Sequence, residues 1–122
     1  MKKKQILIVD DDPRNIFALR ATLLAGGFDC VDCLSAQEAV VKLAGSEVFD
    51  AVLLDMMMPD IDGYEAIPLI RNITGRENIP IVAVTAQAMK GDRQKCLDAG
   101  ADYYVSKPVD VDKLFQILRN LP

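Results

Sequence analysis

Five short apolar runs recur along the chain, and four of them end in charged or hydroxyl side chains. Each run is about five residues long and rich in Ile, Val and Leu, which is typical of a parallel strand covered on both faces. Open parallel sheets bind ligands beyond the carboxyl ends of their strands, so these side chains should converge. They are Asp10 and Asp11 in IVDDDP, Asp55 in AVLLDMMMP, Thr85 in IVAVTA and Lys107 in YYVSKP. Three carboxylates, a hydroxyl and an ammonium predict a magnesium-dependent phosphoryl site.

Segments with helical signals separate the apolar runs, so strands and helices alternate. The predicted strands cover residues 5–9, 28–33, 50–54, 80–84 and 103–106. The predicted helices cover residues 13–25, 36–44, 63–72, 88–99 and 110–120. Asp12 and Ser35 are predicted caps, whereas Pro68 and Gly91 weaken the third and fourth helices. Five such units predict an α/β fold, a doubly wound five-stranded parallel sheet with helices on both faces, and leave its strand order open.

Composition favours one domain and argues against two classes of partner. A chain of 122 residues with 51% hydrophobic residues can build a single core. Its net charge of −4 argues against nucleic acid, because binding to phosphates depends on clustered Lys and Arg. We find neither an apolar segment of about 18 residues, as a membrane span requires, nor a signal peptide. We therefore expect a cytoplasmic protein without membrane contact.

Cys30 and Cys33 form a C-x-x-C spacing, which in other chains marks a redox or zinc site. Here they lie in a predicted strand, where positions three apart point to opposite faces. The chain has no His and only one further cysteine, Cys96, so a second pair of zinc ligands is missing. We expect reduced thiols in or near the core.

The motifs taken together resemble the response-regulator receiver domain of bacterial two-component signalling, over essentially the whole chain. The matching pieces are the acidic pair in IVDDDP, Asp55 in LLDMMMPDIDG, Thr85 followed by Ala86, and Lys107 followed by Pro108. The resemblance implies a flavodoxin-like fold with strand order 2-1-3-4-5. It implies one receiver domain over residues 1–122, without an output domain. Such a domain is a signalling module rather than an enzyme, and it receives a phosphoryl group from a histidine kinase or a histidine phosphotransfer protein.

The resemblance also implies how the acidic residues act. Asp55 would be the phosphoacceptor, a carboxylate nucleophile that forms an acyl phosphate. Asp11 and Asp55 would bind Mg²⁺ directly, with Mn²⁺ as an alternative ion. Asp10 would act through a coordinated water, and the backbone carbonyl of Met57 would be a further ligand. Mg²⁺ takes hard oxygen donors and keeps several waters, so a few carboxylates suffice.

The remaining site residues are implied to handle the phosphoryl group after transfer. Lys107, followed by a cis peptide bond, would place its ammonium against the phosphoryl oxygens, and the Thr85 hydroxyl would donate a hydrogen bond to one of them. Tyr104 matches the switch aromatic, whose ring rotates inward when Thr85 moves. Met57 and Gln87 flank the path of an attacking water, so they are the predicted positions that tune dephosphorylation. We expect shielding by the Met57 thioether to dominate.

Other functions fit the chain less well. A haloacid-dehalogenase-type phosphatase needs an Asp two residues after its nucleophile, where this chain has Met57. A flavodoxin-like carrier needs a phosphate loop after the first strand, where three acidic residues stand instead. A receiver portion of a hybrid histidine kinase, which TAQAMKGDR resembles, and a docking module that does not use phosphorylation both stay open. The resemblance further implies a homodimer through the fourth helix, fifth strand and fifth helix as one assembly.

Overall fold

The computed structural model describes residues 3–86 and 91–122, and within them five strands alternate with five helices. The strands are β1 Gln5–Val9, β2 Asp29–Cys33, β3 Ala51–Asp55, β4 Ile81–Thr85 and β5 Tyr103–Ser106. The helices are α1 Pro13–Ala25, α2 Ala36–Ala44, α3 Gly63–Arg71, α4 Asp92–Asp98 and α5 Val111–Arg119. The strands pair in parallel in the order β2-β1-β3-β4-β5. The predicted doubly wound sheet and the strand order 2-1-3-4-5 are confirmed.

The core consists of two layers, one on each face of the sheet. Successive strand side chains point to opposite faces, so Leu7 belongs to one layer and Ile8 to the other. Helices α2, α3 and α4 cover the first layer, and α1 and α5 cover the second. Each fully buried Ile or Leu side chain contributes roughly 1.5–3 kcal/mol relative to exposure. The central strands are therefore held rigidly, which fixes the positions of the residues at their ends.

Four helices begin at a side chain that accepts a hydrogen bond from the first turn. These caps are Asp12 for α1, Ser35 for α2, Asp62 for α3 and Asp110 for α5. The predicted caps Asp12 and Ser35 are confirmed, and a cap of this kind typically contributes about 1 kcal/mol. The PDIDG turn therefore ends in a cap, because the Asp62 carboxylate accepts from the backbone N–H of Glu65 at 3.0 Å.

Two predicted strand ends were one residue too early. Asp55 pairs with Val84, and Thr85 pairs with Ser106, so both polar residues belong to the parallel ladder. The polar side chain ends the apolar pattern, but the backbone hydrogen bonds continue past it. Asp55 and Thr85 therefore sit on the last rungs of the sheet, where the ladder restrains their backbones.

The predicted fourth helix begins too early. α4 starts at Asp92, and Gly91 precedes it with φ of 89°, a left-handed conformation that glycine adopts without steric cost. The prediction that Gly91 lies within the helix and lowers the stability of its first turns is therefore wrong, because Gly91 precedes the first residue of α4. The predicted helical residues 88–90 lie outside the described part of the chain.

The three cysteines are free and buried. Cys30 belongs to the layer beneath α1 and α5, and Cys33 belongs to the opposite layer, so the prediction that they point to opposite faces is confirmed. Burial raises the pKa of Cys33 to about 12, which keeps it a thiol at neutral pH. Among residues 3–86 and 91–122, no helix is long and apolar enough to cross a membrane.

Candidate functional site

The site lies at the carboxyl edge of the sheet, where four neighbouring strands end. Asp10 directly follows β1, Asp55 ends β3, Thr85 ends β4, and Lys107 directly follows β5. Because these strands are adjacent in the sheet, their ends line up. The backbone N–H of Lys107 donates to the carbonyl of Thr85 at 2.8 Å, which continues the ladder to the lysine. The structure brings these predicted residues to one edge.

Three acidic side chains form the centre of this edge. Asp10, Asp11 and Asp55 each offer a carboxylate oxygen, and the three oxygens lie within 4.8 Å of one another. Asp10 and Asp55 are buried, whereas Asp11 is exposed on the solvent side of the cluster. Carboxylate oxygens are the hard donors that Mg²⁺ prefers, and a ligand set open on one side leaves room for waters. The donor set fits this ion.

The two buried carboxylates are oriented by the same kind of hydrogen bond, each within its own turn. The backbone N–H of Asp12 donates to Asp10 Oδ1 at 2.8 Å, and the backbone N–H of Met57 donates to Asp55 Oδ1 at 3.0 Å. Such bonds to the residue two positions later are a recurrent property of aspartate in turns. In both residues Oδ1 is thus held by the backbone, and Oδ2 faces the shared lysine.

Lys107 places a positive charge against both carboxylates. Its Nζ lies 3.5 Å from Asp10 Oδ2 and 3.5 Å from Asp55 Oδ2. Charge-assisted hydrogen bonds are usually shorter, about 2.7–2.9 Å, so the ammonium is shared between the two groups rather than committed to one. The peptide bond between Lys107 and Pro108 is cis, as the resemblance implied.

Burial dominates the electrostatics of Asp10. Burial, and to a smaller extent the neighbouring Asp55 charge, raises the pKa of Asp10, although the hydrogen bond from Asp12 and the Lys107 ammonium act in the opposite direction. The cause is that burial disfavours the charged form. A cation bound beside Asp10 would offset that cost, so the site favours uptake of a divalent ion.

The residues predicted as switch and as tuning positions differ in their surroundings. Tyr104 is half-buried on β5, and its hydroxyl donates to Asp92 Oδ2 at 3.2 Å. Thr85 is buried at the end of β4. Met57 is exposed at the rim beside Asp55, and Gln87 lies outside the described residues.

Sequence reasoning missed Asp92. In MKGDRQ it has the pattern of an ordinary surface acid at a helix start, yet the structure buries it beneath Tyr64 and Tyr104. No local signal could have found it, because its hydroxyl partners lie 28 residues before it and 12 residues after it.

Comparison with known proteins gives a consistent set of matches. The family model for the response regulator receiver domain matches residues 6–119. The signal transduction histidine-protein kinase BarA of Escherichia coli is 35% identical over 93% of this chain, which spans 12% of that kinase. The polar-differentiation response regulator DivK of Brucella ovis is 31% identical over 96% of this chain and 94% of its own length. The chain thus spans a small part of one relative and nearly all of the other.

A solved structure has the same fold. It is the receiver domain of sensor histidine kinase PA1611 from Pseudomonas aeruginosa PAO1, with 34% sequence identity and a TM-score of 0.88. The alignment covers 98% of both chains. That crystal structure has a magnesium ion coordinated in the active site cleft.

Proposed function

The chain belongs to the response regulator receiver domain family, and on that basis we propose that it accepts a phosphoryl group on Asp55 from a phosphohistidine donor. The donor is a histidine kinase or a histidine phosphotransfer protein of a two-component or phosphorelay pathway. One observation carries the proposal: the Asp55 carboxylate lies in an acidic cluster with the Lys107 ammonium 3.5 Å from its Oδ2. Family membership gives the pathway class, and the geometry supports the residue assignments.

The transfer step needs an oriented nucleophile. The backbone N–H of Met57 holds one oxygen of Asp55, so the carboxylate approaches the donor in a defined direction. An Asp55 oxygen forms the new bond to phosphorus while the bond between phosphorus and the donor imidazole nitrogen breaks. The electron pair of that bond leaves with the imidazole, which is protonated on release. Positioning and charge stabilisation supply most of the rate in such transfers.

The acidic cluster supplies the site for a divalent ion. The proposed ligands are the carboxylates of Asp10 (through a water), Asp11 and Asp55 and the backbone carbonyl of Met57. When bound, Mg²⁺, or Mn²⁺ in its place, neutralises the charge of the carboxylates and of the incoming phosphoryl oxygens. The raised pKa of Asp10 supports the assignment, because burial there disfavours a charge that lacks a cation.

Lys107 and Thr85 act on the phosphoryl group once it is attached. The Lys107 ammonium lies 3.5 Å from each of two carboxylates. Because neither contact is a short hydrogen bond, the ammonium can turn to the phosphoryl oxygens at little cost in interaction energy. The Thr85 hydroxyl donates to a further oxygen. We place the output on the surface formed by α4, β5 and α5, where Tyr104 is half-buried, and this surface is also the one through which a homodimer would form.

Intact-mass spectrometry tests the proposed function directly. After incubation with acetyl phosphate and magnesium, the chain should gain the mass of one phosphoryl group, and magnesium chelation should prevent the gain. An unchanged mass with acetyl phosphate and with a phosphorylated phosphotransfer protein would favour the docking module that does not use phosphorylation.

Helix α1 offers a candidate docking face for the phosphodonor protein. It begins directly beyond the acidic residues, and Phe17 is 76% exposed on it. Leu24, seven residues later, is also exposed, and these positions share one helix face. The exposed apolar stripe on that face consists of Phe17, Ala18, Ala21, Leu24 and Ala25. A contiguous exposed apolar stripe marks an interaction site more often than single apolar residues do.

A groove connects the α1 stripe with the phosphorylation site. It has a volume of about 250 Å³ and is lined by Leu19 and Thr22 of α1 and by the segment from Lys107 to Val109. A donor protein that packs along α1 therefore reaches the strand ends without crossing the rest of the sheet. This arrangement would bring a phosphohistidine on the donor close to Asp55.

We expect Phe17→Ser to slow phosphotransfer from a protein donor but not from acetyl phosphate. Buried aromatic anchors often contribute more than about 1.4 kcal/mol to an interface, so transfer should fall at least about tenfold. The probe is a phosphorylated histidine phosphotransfer protein that labels the native chain, followed by loss of label from the donor. Val41→Ser is the matched control, because Val41 is 73% exposed on α2, which covers the opposite face of the sheet. Equal slowing in both variants would contradict the assignment of the docking face.

We expect Met57→Asn to shorten the lifetime of the acyl phosphate. The thioether has no group that orients water, whereas an amide at this exposed rim position can donate and accept hydrogen bonds. The rate should rise on the order of tenfold, below the 10²–10⁴ of a positioned general base. The measurement is the decay of phosphorylated protein after donor removal, with Gln87→Ala expected to change it little. An unchanged rate in Met57→Asn would remove the shielding role of this side chain.

The pathway context is a further proposal. The response regulator DivK, of which the chain covers 94%, favours a stand-alone regulator, and the histidine kinase BarA, of which it covers 12%, favours the receiver portion of a hybrid kinase. In both contexts we propose that residues 1–122 act as one receiver unit in the cytoplasm. A reading frame that continues upstream into a kinase core would establish the hybrid context.

A further inference from the structure

The loop between β3 and α3 closes on Met56, the residue that directly follows Asp55. Met56 is fully buried, and both of its backbone polar groups are hydrogen-bonded. Its N–H donates to the carbonyl of Val84 on β4 at 2.9 Å, and its carbonyl accepts from the N–H of Gly63 at 3.2 Å. Met56 is therefore held between β4 on one side and the first residue of α3 on the other.

Gly63 lies so close to Met56 that no side chain fits between them. A Cβ atom at Gly63 would lie 2.8 Å from the Cα of Met56 and 2.9 Å from its Cε, and closer still to its Sδ. Carbon atoms in good contact are about 3.5–4.0 Å apart, so these distances are overlaps. Gly63 is helical and does not have a positive φ, so backbone strain does not explain the glycine. The close approach of two backbones explains it.

Both partners of this contact are anchored. Gly63 is fixed through the start of α3, where Asp62 caps the helix, and through Ile67 and Ile70, which are buried in the core. The Met56 side chain belongs to the same core layer, beneath α2, α3 and α4. Because protein interiors are close-packed, an added methyl group here displaces its neighbours instead of filling a void.

Met56 stands between two residues of the phosphorylation site. Asp55 precedes it, and the backbone N–H of Met57, which follows it, donates to Asp55 Oδ1 at 3.0 Å. A shift of the Met56 backbone therefore moves both ends of this hydrogen bond. The Asp55 carboxylate and the Met57 carbonyl, which is a proposed metal ligand, would move with it.

We propose that Gly63 is a positioning residue of the phosphorylation site, because the lack of a side chain there lets α3 pack against Met56 and thereby sets the direction of the Asp55 carboxylate and of the Met57 carbonyl. The inference rests on the proposed function of Asp55 and on the proposed metal ligands. Gly63 acts through Met56 and has no polar side chain of its own.

Gly63→Ala tests the contact with the smallest side chain. Alanine is the better helix former, so a helix with room for the methyl group would not be destabilised. Magnesium affinity, measured by titration of amide shifts, should fall at least about tenfold, the lower end for loss of outer-shell support. Labelling by acetyl phosphate should be slower even at saturating magnesium, because a displacement of about 1 Å can cost about 100-fold in rate. The amide signals of Asp55 and Met57 should shift before magnesium is added.

Two controls separate positioning from a loss of stability. Gly45→Ala makes the same change at a φ of −80°, where a Cβ would lie 3.4 Å from the carbonyl oxygen of Lys42, an ordinary contact. Ile70→Val weakens the packing of the same helix two turns away and adds no atom beside Met56. Both variants should bind magnesium with native affinity, and Ile70→Val should do so despite a lower midpoint temperature of thermal unfolding.

A substitution of Met56 tests the contact itself. Met56→Ala removes Sδ and Cε, so of the three close contacts only the one with the Cα of Met56 remains. In that background Gly63→Ala should weaken magnesium binding by a smaller but measurable factor, a coupling that two independent defects do not show. The same comparison replaces the first if Gly63→Ala alone does not fold.

The outcomes distinguish this inference from the function beneath it. If the native chain neither binds magnesium nor gains a phosphoryl group, the proposed function fails. If the native chain does both, and Gly63→Ala leaves magnesium affinity and the Asp55 and Met57 amide signals unchanged in both backgrounds, the positioning role of Gly63 is overturned while the phosphoacceptor role stands. An equal loss of affinity in Ile70→Val would also overturn it.

Discussion

Replacing Asp55 with Asn should abolish covalent phosphorylation while the fold remains intact. The Asn side chain has nearly the same shape, and its amide oxygen can still accept the 3.0 Å hydrogen bond from the backbone N–H of Met57. The amide lacks the carboxylate oxygen that attacks phosphorus, so no acyl phosphate can form. Intact-mass spectrometry after treatment with acetyl phosphate and magnesium should show a complete loss of the added phosphoryl group.

The midpoint temperature of thermal unfolding should not fall in Asp55→Asn. The neighbouring Asp55 charge contributes to the raised pKa of Asp10, so a neutral amide removes one source of repulsion between two buried carboxylates. Lys107 keeps Asp10 as a partner at 3.5 Å. Thermal unfolding followed by circular dichroism measures this directly.

Asp60→Asn is the matched control for the phosphorylation experiment. Asp60 is exposed in the loop that follows Asp55, so the same chemical change there leaves the acidic cluster intact. This variant should gain one phosphoryl group as the native chain does. Persistent labelling of Asp55→Asn, or loss of labelling in Asp60→Asn, would move the phosphoacceptor role away from Asp55.

Asp11→Ala should lose magnesium binding and phosphorylation together. Asp11 contributes one of the three clustered oxygens from an exposed side chain, so truncation removes a proposed ligand and little packed surface. The affinity for magnesium should fall by about 100-fold or more, because loss of a ligand exceeds the 10–100-fold cost typical of an outer-shell partner. Magnesium titration followed by backbone amide shifts gives the affinity, and acetyl phosphate labelling gives the activity.

Asp60→Ala controls for the loss of one negative charge near the site. It should keep both magnesium affinity and labelling close to native values, because Asp60 is not part of the acidic cluster. Native-like amide spectra in the absence of magnesium would show that both variants are folded. If Asp11→Ala bound the ion with native affinity, Asp11 would not be a ligand.

The strand bounds show how much of the sheet the apolar sequence pattern predicts. β1 and β5 match their predicted bounds, because a buried parallel strand has a continuous apolar sequence that stops where the chain becomes polar. β3 and β4 extend one residue further, to Asp55 and Thr85, because backbone pairing does not depend on side-chain polarity. The apolar sequence pattern therefore placed each candidate site residue at a strand end. Only the backbone pairing between strands showed that two of these residues belong to the strand itself.

The sequence pattern does not predict which side chains of a helix are exposed. α1 was predicted with both ends correct, from Pro13 to Ala25, because its cap and its glycine stop are local signals. The helix carries apolar residues on most of its circumference, so its sequence does not state which of them face solvent. Packing against the sheet buries Ile16 and Leu23 and leaves Phe17 exposed, which is the observation behind the proposed docking face.

The sequence by itself determined which chemical groups the site contains and which strand each one follows, because burial patterns and strand-ending residues are encoded locally. The resemblance to a known family added the strand order and the roles. Only the tertiary structure decided the distances: Lys107 lies 3.5 Å from Asp10 across 97 residues of chain, and Asp92 joins two tyrosines that no motif connects to it. Such contacts depend on how crossovers and helix packing place whole elements, and this information is distributed over the entire core.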